Sequence, residues 1–342
     1  MKAVVYQEYG SADVLELEDI ERPGYADDEV LVRVRAASVN PYDWHYLTGK
    51  PFLSRVTFGL RKPRNDRLGA DLAGEVAAVG PGVTRFRPGD GIFGEVNGES
   101  PGHPILELGS LAEYVAVAED WLARKPPNVT FEEAAAVPLA ATAALQGLRD
   151  YGGVGPGDEV LINGASGGVG TFAVQIAKAM GAAVTGVCST RNVEMVRSIG
   201  ADHVIDYTTT DFTRSGLLYD LILDNVGNRS LAAYRRVLKP KGMYLASYGR
   251  PDNSWLGPLA TIAWMWVYNL AVRQDFVFLN QHRKRRDIEA LRELLESGQV
   301  RPVIDRTFPL SEAAAAINHL EAGHARGKVV VTVGVNLDRS TQ

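Results

Sequence analysis

Residues 163–170 read Asn163-Gly164-Ala165-Ser166-Gly167-Gly168-Val169-Gly170, and the fold turns on them. EVLING (159–164) leads in as a short apolar run of strand length, and GVGTFAVQIAKAMG (168–181) leads out with helical spacing. A strand that enters a helix through glycines offers backbone N–H groups and the positive end of a helix dipole to an anion. A Cβ at the closest point blocks that approach, which gives Gly167 and Gly168 a reason to be glycine; Gly170 lets the helix lie against the strand. The pattern G-x-G-x-x-G is met except in its first slot, where Ala165 stands. The turn is read as a pyrophosphate cradle, with Ala165, Ser166, Gly167, Gly168, Val169 and Gly170 as candidate cofactor contacts.

Beyond the turn, strand and helix patterns alternate. AVTGVCS (183–189), HVIDY (203–207), YDLILDNV (219–226), GMYLASYG (242–249) and DFVFLN (275–280) read as five more strands. Gly181 and Gly200 sit where a left-handed helix cap is wanted. Such alternation predicts a doubly wound, six-stranded parallel sheet. Before residue 126 the texture differs. VLVRVRAASV (30–39), GEVAAVG (74–80) and LAEYVAVAED (111–120) are strand-like pieces with Gly and Pro punctuation, a β-rich pattern. KVVVTV (328–333) is expected to return to that part. The division is therefore 1–125 with 299–342 as one domain and 126–298 as the other.

The end of the second strand selects between nicotinamide cofactors. An acid there bonds the ribose 2′-hydroxyl, whereas a 2′-phosphate needs that acid absent and a cation near. No acid lies between Gly181 and Asn192, and the strand ends Cys188-Ser189-Thr190-Arg191. Ser189, Thr190 and Arg191 are donors suited to a phosphate, so NADPH is the expected cofactor. Tyr207, ending the third strand, is at a position to stack beside the adenine or the 2′-phosphate.

Composition narrows the partners. The 342 residues are 46% apolar and 23% charged, with a net charge of −5, so nucleic acid is not an expected partner. Cys188 is the single cysteine, which excludes a disulfide framework. MKAVVYQEYG lacks the apolar core of a secretory signal, and the chain is expected in the cytoplasm. Asn253–Val272 is a charge-free apolar stretch, but Gly257, Pro258, Thr261 and Asn269 argue for a buried or interface segment over membrane insertion. The run Arg283-Lys284-Arg285-Arg286 opens a helix, where the dipole disfavours cations, and is expected to face water.

These motifs occur in the order of a known group. AASVNPYDWHYLTG (36–49), GADLAGEVAAVGPGVTRFRPGD (69–90), GSLAEYVAV (109–117), AAAVPLAATAAL (134–145), NGASGGVG (163–170), GADHVIDY (200–207) and GKVVVTV (327–333) resemble the medium-chain dehydrogenase/reductase superfamily, in its zinc-independent quinone oxidoreductase branch. The resemblance implies a GroES-like catalytic domain beside a Rossmann domain, with the cofactor between them, and a homodimer. Zinc-dependent members place Cys, His and Cys where Asn40, Ala70 and Pro138 stand here, and none of these can hold zinc. Without a metal Lewis acid, hydride is expected to go to a small-molecule electrophile, a quinone or an α,β-unsaturated carbonyl, whose charge spreads onto an oxygen. An enoyl-thioester (enoyl-CoA) reductase is the alternative, for which the basic loop Lys50–Arg67 is the recognition element. A catalytically idle NADPH-binding protein is the other.

The resemblance also names residues. Asn40 and Asp43 of Asn40-Pro41-Tyr42-Asp43 flank the nicotinamide, Asn40 as a bond to its ribose or to the substrate carbonyl and Asp43 as an orienter. Tyr46 and His45 are candidate proton or hydrogen-bond donors. Thr142 matches a threonine on the carboxamide. Asn225, Val226, Ser247 and Tyr248 end the fourth and fifth strands beside the cofactor, and Lys328 is a further contact from the returning segment.

Overall fold

The computed structural model describes residues 1–96, 108–247, 259–323 and 325–334. A small ribbon of β1 (Lys2–Val5) and β2 (Glu16–Asp19) comes first. It is followed by an antiparallel sheet of β3 (Glu29–Val39), β4 (Asp71–Val79), β5 (Gly91–Glu95), β6 (Tyr114–Ala118) and β7 (Leu122–Arg124). Alternation sets this sheet: Val30, Val32 and Val34 of β3 are buried while Arg33 between them is exposed. Two helices, α1 (Pro41–Thr48) and α2 (Arg55–Phe58), lie between β3 and β4.

The Ala-rich stretch that follows forms α3 (Phe131–Ala135) and α4 (Pro138–Gln146). Small side chains allow close approach on every side, and these helices share one core with Ala36, Ala73 and Phe93 of the first sheet and Val160, Leu221 and Leu223 of the second. They join the two sheets.

The second sheet contains β8 (Glu159–Asn163), β9 (Ala183–Cys188), β10 (His203–Asp206), β11 (Tyr219–Asp224), β12 (Leu238–Ala246) and β13 (Asp275–Phe278). Its order is β10-β9-β8-β11-β12-β13, and every neighbouring pair is parallel. This is the doubly wound arrangement expected from the alternation, with the order reversing between β8 and β11, where ligands bind. Helices α5 (Gly168–Ala179), α6 (Val193–Ser198), α7 (Leu231–Arg236) and α8 (Leu259–Asn269) connect its strands. One face packs on the alanine core and the other on Tyr219, Tyr234, Tyr244 and Phe276. After α9 (Arg285–Glu296) the chain runs through β14 (Ile304–Pro309) and α10 (Ala313–Glu321) to β15 (Lys328–Thr332), which lies antiparallel to β3 in the first sheet.

The described part of the apolar stretch, 259–272, is largely exposed. Residues 253–258 lie outside the described residues; in α8 only Met265 is buried, while Leu259, Trp264, Trp266 and Leu270 are exposed, Trp266 at 70%. No described helix is long and apolar enough to cross a membrane. Asn269 Nδ2 donates to Phe276 O and its Oδ1 accepts from Phe276 N, both at 2.9 Å, so a side chain fills one rung of strand β13.

Candidate active site

Within the glycine turn, Gly170 and Gly167 differ in what holds them. A Cβ on Gly170 would lie 2.1 Å from Gly164 O, so the close approach of α5 to the turn forbids any side chain there. A Cβ on Gly167 meets nothing nearer than Gly164 O at 3.5 Å, and the residue has an ordinary φ of −84°. Among the described residues no contact requires glycine at 167, and a backbone left open in this way fits the approach of a pyrophosphate. Ala165 is fully buried, and its methyl sits where a Cβ on Gly186 of β9 would be 3.1 Å away. The missing first glycine is thus matched by a glycine on the neighbouring strand. Ser166, Gly168 and Val169 are half-buried along the turn.

The end of β9 lies beside this turn. Asn192 is buried and its Nδ2 donates to Ser166 Oγ at 3.0 Å and Ser189 Oγ at 3.2 Å. Each hydroxyl, having accepted, retains its own proton to donate. Thr190 differs from expectation, because its hydroxyl donates to Asp206 Oδ2 at 2.6 Å. Arg191 and Tyr207 are exposed.

At the reversal of strand order, Asp224 accepts from Asn163 Nδ2 at 2.8 Å, Tyr244 Oη at 2.7 Å and the Val226 and Gly227 amides at 3.0 Å. This rivets the loop carrying Asn225 and Val226. Asn225 Nδ2 donates to Asn163 O, while its Oδ1 is buried with no partner among the described residues, an acceptor suited to a cofactor donor. Val226 is 45% exposed and Ser247 half-buried; Tyr248 lies outside the described residues.

The opposite wall is a buried polar cluster. Gly327 N donates to Ser166 O at 2.8 Å, which brings the start of β15 against the glycine turn. Lys328, 3% exposed, then extends its ammonium to Asn40 Oδ1 and to Asp71 Oδ2 at 3.3 Å. Asn40 Nδ2 donates to Asp71 Oδ2 at 3.0 Å, Ser38 Oγ to the same oxygen at 2.7 Å, and Leu139 N to Asp71 Oδ1 at 2.8 Å. Asp71 was not legible as a site residue: its partner Lys328 is 257 residues away in the chain.

Asp43 lies beside this cluster, close enough to interact electrostatically with Asp71 and Lys328. Its two oxygens accept from the Asn40 and Gly69 amides, both at 2.8 Å, capping α1, and burial pushes its carboxyl up to about 6. Tyr46 stacks on Phe58 at 3.9 Å between ring centres, with its Oη 3.2 Å from Tyr42 Oη; burial raises its pKa, so it stays protonated. His45 Nδ1 lies 2.8 Å from Lys50 O, and burial holds the ring below the usual imidazole range. Thr142 is buried in α4, where it lines a cavity of about 20 Å³ with Glu95, Arg283 and Ile288. Arg283 belongs to the basic run expected in water, yet its Nε donates to buried Glu95 at 2.8 Å. Arg283 precedes α9, and its partner Glu95 sits at the end of β5. Burial pushes the Glu95 carboxyl up to about 7.

The chain matches two family descriptions, an alcohol dehydrogenase GroES-like domain over residues 26–127 and a zinc-binding dehydrogenase over 199–331. It is 35% identical to the mitochondrial NAD(P)H oxidoreductase RTN4IP1 of Mus musculus, over 97% of this chain and 89% of the relative. The chloroplastic NADPH-dependent alkenal/one oxidoreductase of Arabidopsis thaliana is 36% identical, over 97% and 79%. The quinone oxidoreductase from Coxiella burnetii superposes with a TM-score of 0.84 at 31% identity, covering 97% of this chain and 99% of that one. This chain is a medium-chain dehydrogenase/reductase of the quinone oxidoreductase branch. As such it is an NAD(P)H-dependent oxidoreductase. The positions that the resemblance matches to the zinc ligands of zinc-dependent members are Asn40, Ala70 and Pro138. Among the described residues, no three His, Cys, Asp or Glu side chains come together as a metal site. An ammonium, that of Lys328, stands on the side chain that replaces the first ligand.

Proposed function

We propose that this dehydrogenase/reductase reduces quinones or α,β-unsaturated carbonyls with NADPH and without zinc. The observation that carries the reading is the buried Lys328–Asn40–Asp71 cluster set beside the glycine turn. When bound, the dinucleotide supplies the hydride. The chain's part is to hold it and to receive charge. Gly167, Gly168 and Ser166 bind the pyrophosphate, Thr142 and Asn225 hold the nicotinamide end, and Tyr207 stacks beside the adenine. An ammonium has three N–H donors, and Lys328 spends them on Asn40, Asp71 and an acceptor oxygen that gains negative charge. The aromatic wall of Tyr42, Tyr46 and Phe58 packs a flat conjugated ring. Such an acceptor needs only this support, because its charge is delocalised.

Several finer points belong to the same proposal. NADPH is preferred to NADH because Ser189 and Arg191 follow the end of β9, where no acid stands. Asn40 and Lys328 are the charge-receiving residues, while Asp43 orients the α1 loop. The protein is cytoplasmic, with its single Cys188 buried as a free thiol, although relatives are named as mitochondrial or chloroplastic. It is a homodimer whose contact includes the exposed apolar face of α8.

Cofactor oxidation followed at the nicotinamide absorbance band tests this, with NADPH and NADH, against a quinone, an enone, an alkenal, an enoyl-CoA and a saturated aldehyde. The expected result is turnover of quinone, enone or alkenal with NADPH and none of the saturated aldehyde. Preference for enoyl-CoA favours the thioester reductase; the exposed Arg61, Lys62 and Arg64 are then its recognition element. Silence on every acceptor despite NADPH binding favours an idle binding protein, and activity on the saturated aldehyde alone contradicts the proposal.

A further inference from the structure

The carboxylate of Asp206, one residue before Tyr207, lies beside the strand end at which the ribose of the dinucleotide is proposed to sit. Asp206 ends β10 and is the register partner of Cys188, the last residue of β9. Adjacent strands lie about 4.8 Å apart, so this acid is one strand spacing from the strand end at which a ribose 2′ group is recognised. Its Oδ2 accepts from Thr190 Oγ1 at 2.6 Å, and its Oδ1 accepts from the Thr208 amide at 2.9 Å and hydroxyl at 2.7 Å. Those donors hold the carboxyl below its usual range, so it is ionised at neutral pH. Thr190, a donor by sequence, has its proton on this carboxylate instead.

We propose that Asp206 is a specificity-determining residue for the dinucleotide, opposing a 2′-phosphate from the third strand as an acid at the end of the second strand does in NAD sites. The inference rests on the dinucleotide reading above. Arg191 and Asp206 then act against one another: the cation attracts a 2′-phosphate, the carboxylate repels it, and the chain's preference for the phosphorylated cofactor is narrower than its strand-end residues alone imply. Coulomb repulsion across this distance in a water-exposed site corresponds to roughly a tenfold difference in affinity for a doubly charged phosphate.

Calorimetric titration with 2′,5′-ADP and with 5′-AMP isolates the effect, because the two differ only in the 2′-phosphate. Asp206→Asn keeps the side-chain shape and an acceptor for the Thr208 amide. It is expected to raise the affinity for 2′,5′-ADP about tenfold relative to 5′-AMP, with a smaller gain at high salt. Thr190→Val, which removes the hydroxyl and leaves the charge, is expected to leave that ratio in place. An unchanged or lowered ratio in Asp206→Asn overturns the inference, and so does a Thr190→Val variant that reproduces the gain, since the acid then acts through Thr190. If the wild-type chain binds neither nucleotide, the dinucleotide reading falls and this inference with it.

Discussion

Gly167 and Gly170 are three residues apart and glycine for opposite reasons. Ala at 170 drives a methyl into Gly164 O, a 2.1 Å approach that the backbone must move to relieve. Ala at 167 has room within the chain and an allowed φ. Gly170→Ala is therefore expected to destabilise the fold by several kcal/mol, about 3 or more by analogy with other backbone-strained sites. Gly167→Ala is expected to change stability by at most about 1 kcal/mol while weakening NADPH binding at least tenfold. Chemical denaturation and fluorescence titration of the two variants separate these outcomes; equal stability losses would refute the assignment. At this scale the glycines were readable from local pattern, because a turn's demands are met within a few residues. Asp71 and Asp206 were not, since each acts on a group brought near by strand register: Lys328 from β15 and Thr190 from the end of β9.

Strands and helices carry these residues to their places, and the pairing of β4 with β5 shows it best. Asp71 and Glu95 are register partners, so one strand pair holds both the Lys328 cluster and the carboxyl that receives Arg283. Burial raises Glu95 from an ordinary 4.5 to about 7 despite the guanidinium beside it. The sign follows. A carboxyl whose folded pKa exceeds its unfolded value penalises the folded state once it ionises, so the penalty is absent below about 4.5, grows towards 7 and is complete above it. Glu95→Gln is expected to match the wild type near pH 5 and to exceed it in stability at pH 8, by at most about 3 kcal/mol. Urea unfolding at both pH values decides it, and a variant that is less stable at pH 8 contradicts the account. The six strands of the parallel sheet were legible because both faces are covered and their apolar runs are continuous. Of the basic run 283–286, Lys284, Arg285 and Arg286 are exposed as expected, and Arg283 alone turns inward, to a Glu95 188 residues away.

For the molecule as a whole, the alanine helices α3 and α4 join two sheets through one core, and α8 presents exposed apolar side chains at the β13 edge of the parallel sheet. Trp266, 70% exposed, is the centre of the proposed contact between protomers. Trp266→Asp is expected to yield monomers in light scattering with unchanged secondary structure, and an unchanged mass would remove α8 from that contact. In the proposed reaction, hydride is delivered to a conjugated carbon and Lys328 and Asn40 receive the charge. The most direct measurement uses NADPH carrying deuterium at the transferred position, with an enone as acceptor. Deuterium at the β-carbon of a saturated ketone is the predicted result. Deuterium on the carbonyl carbon of an alcohol would contradict it.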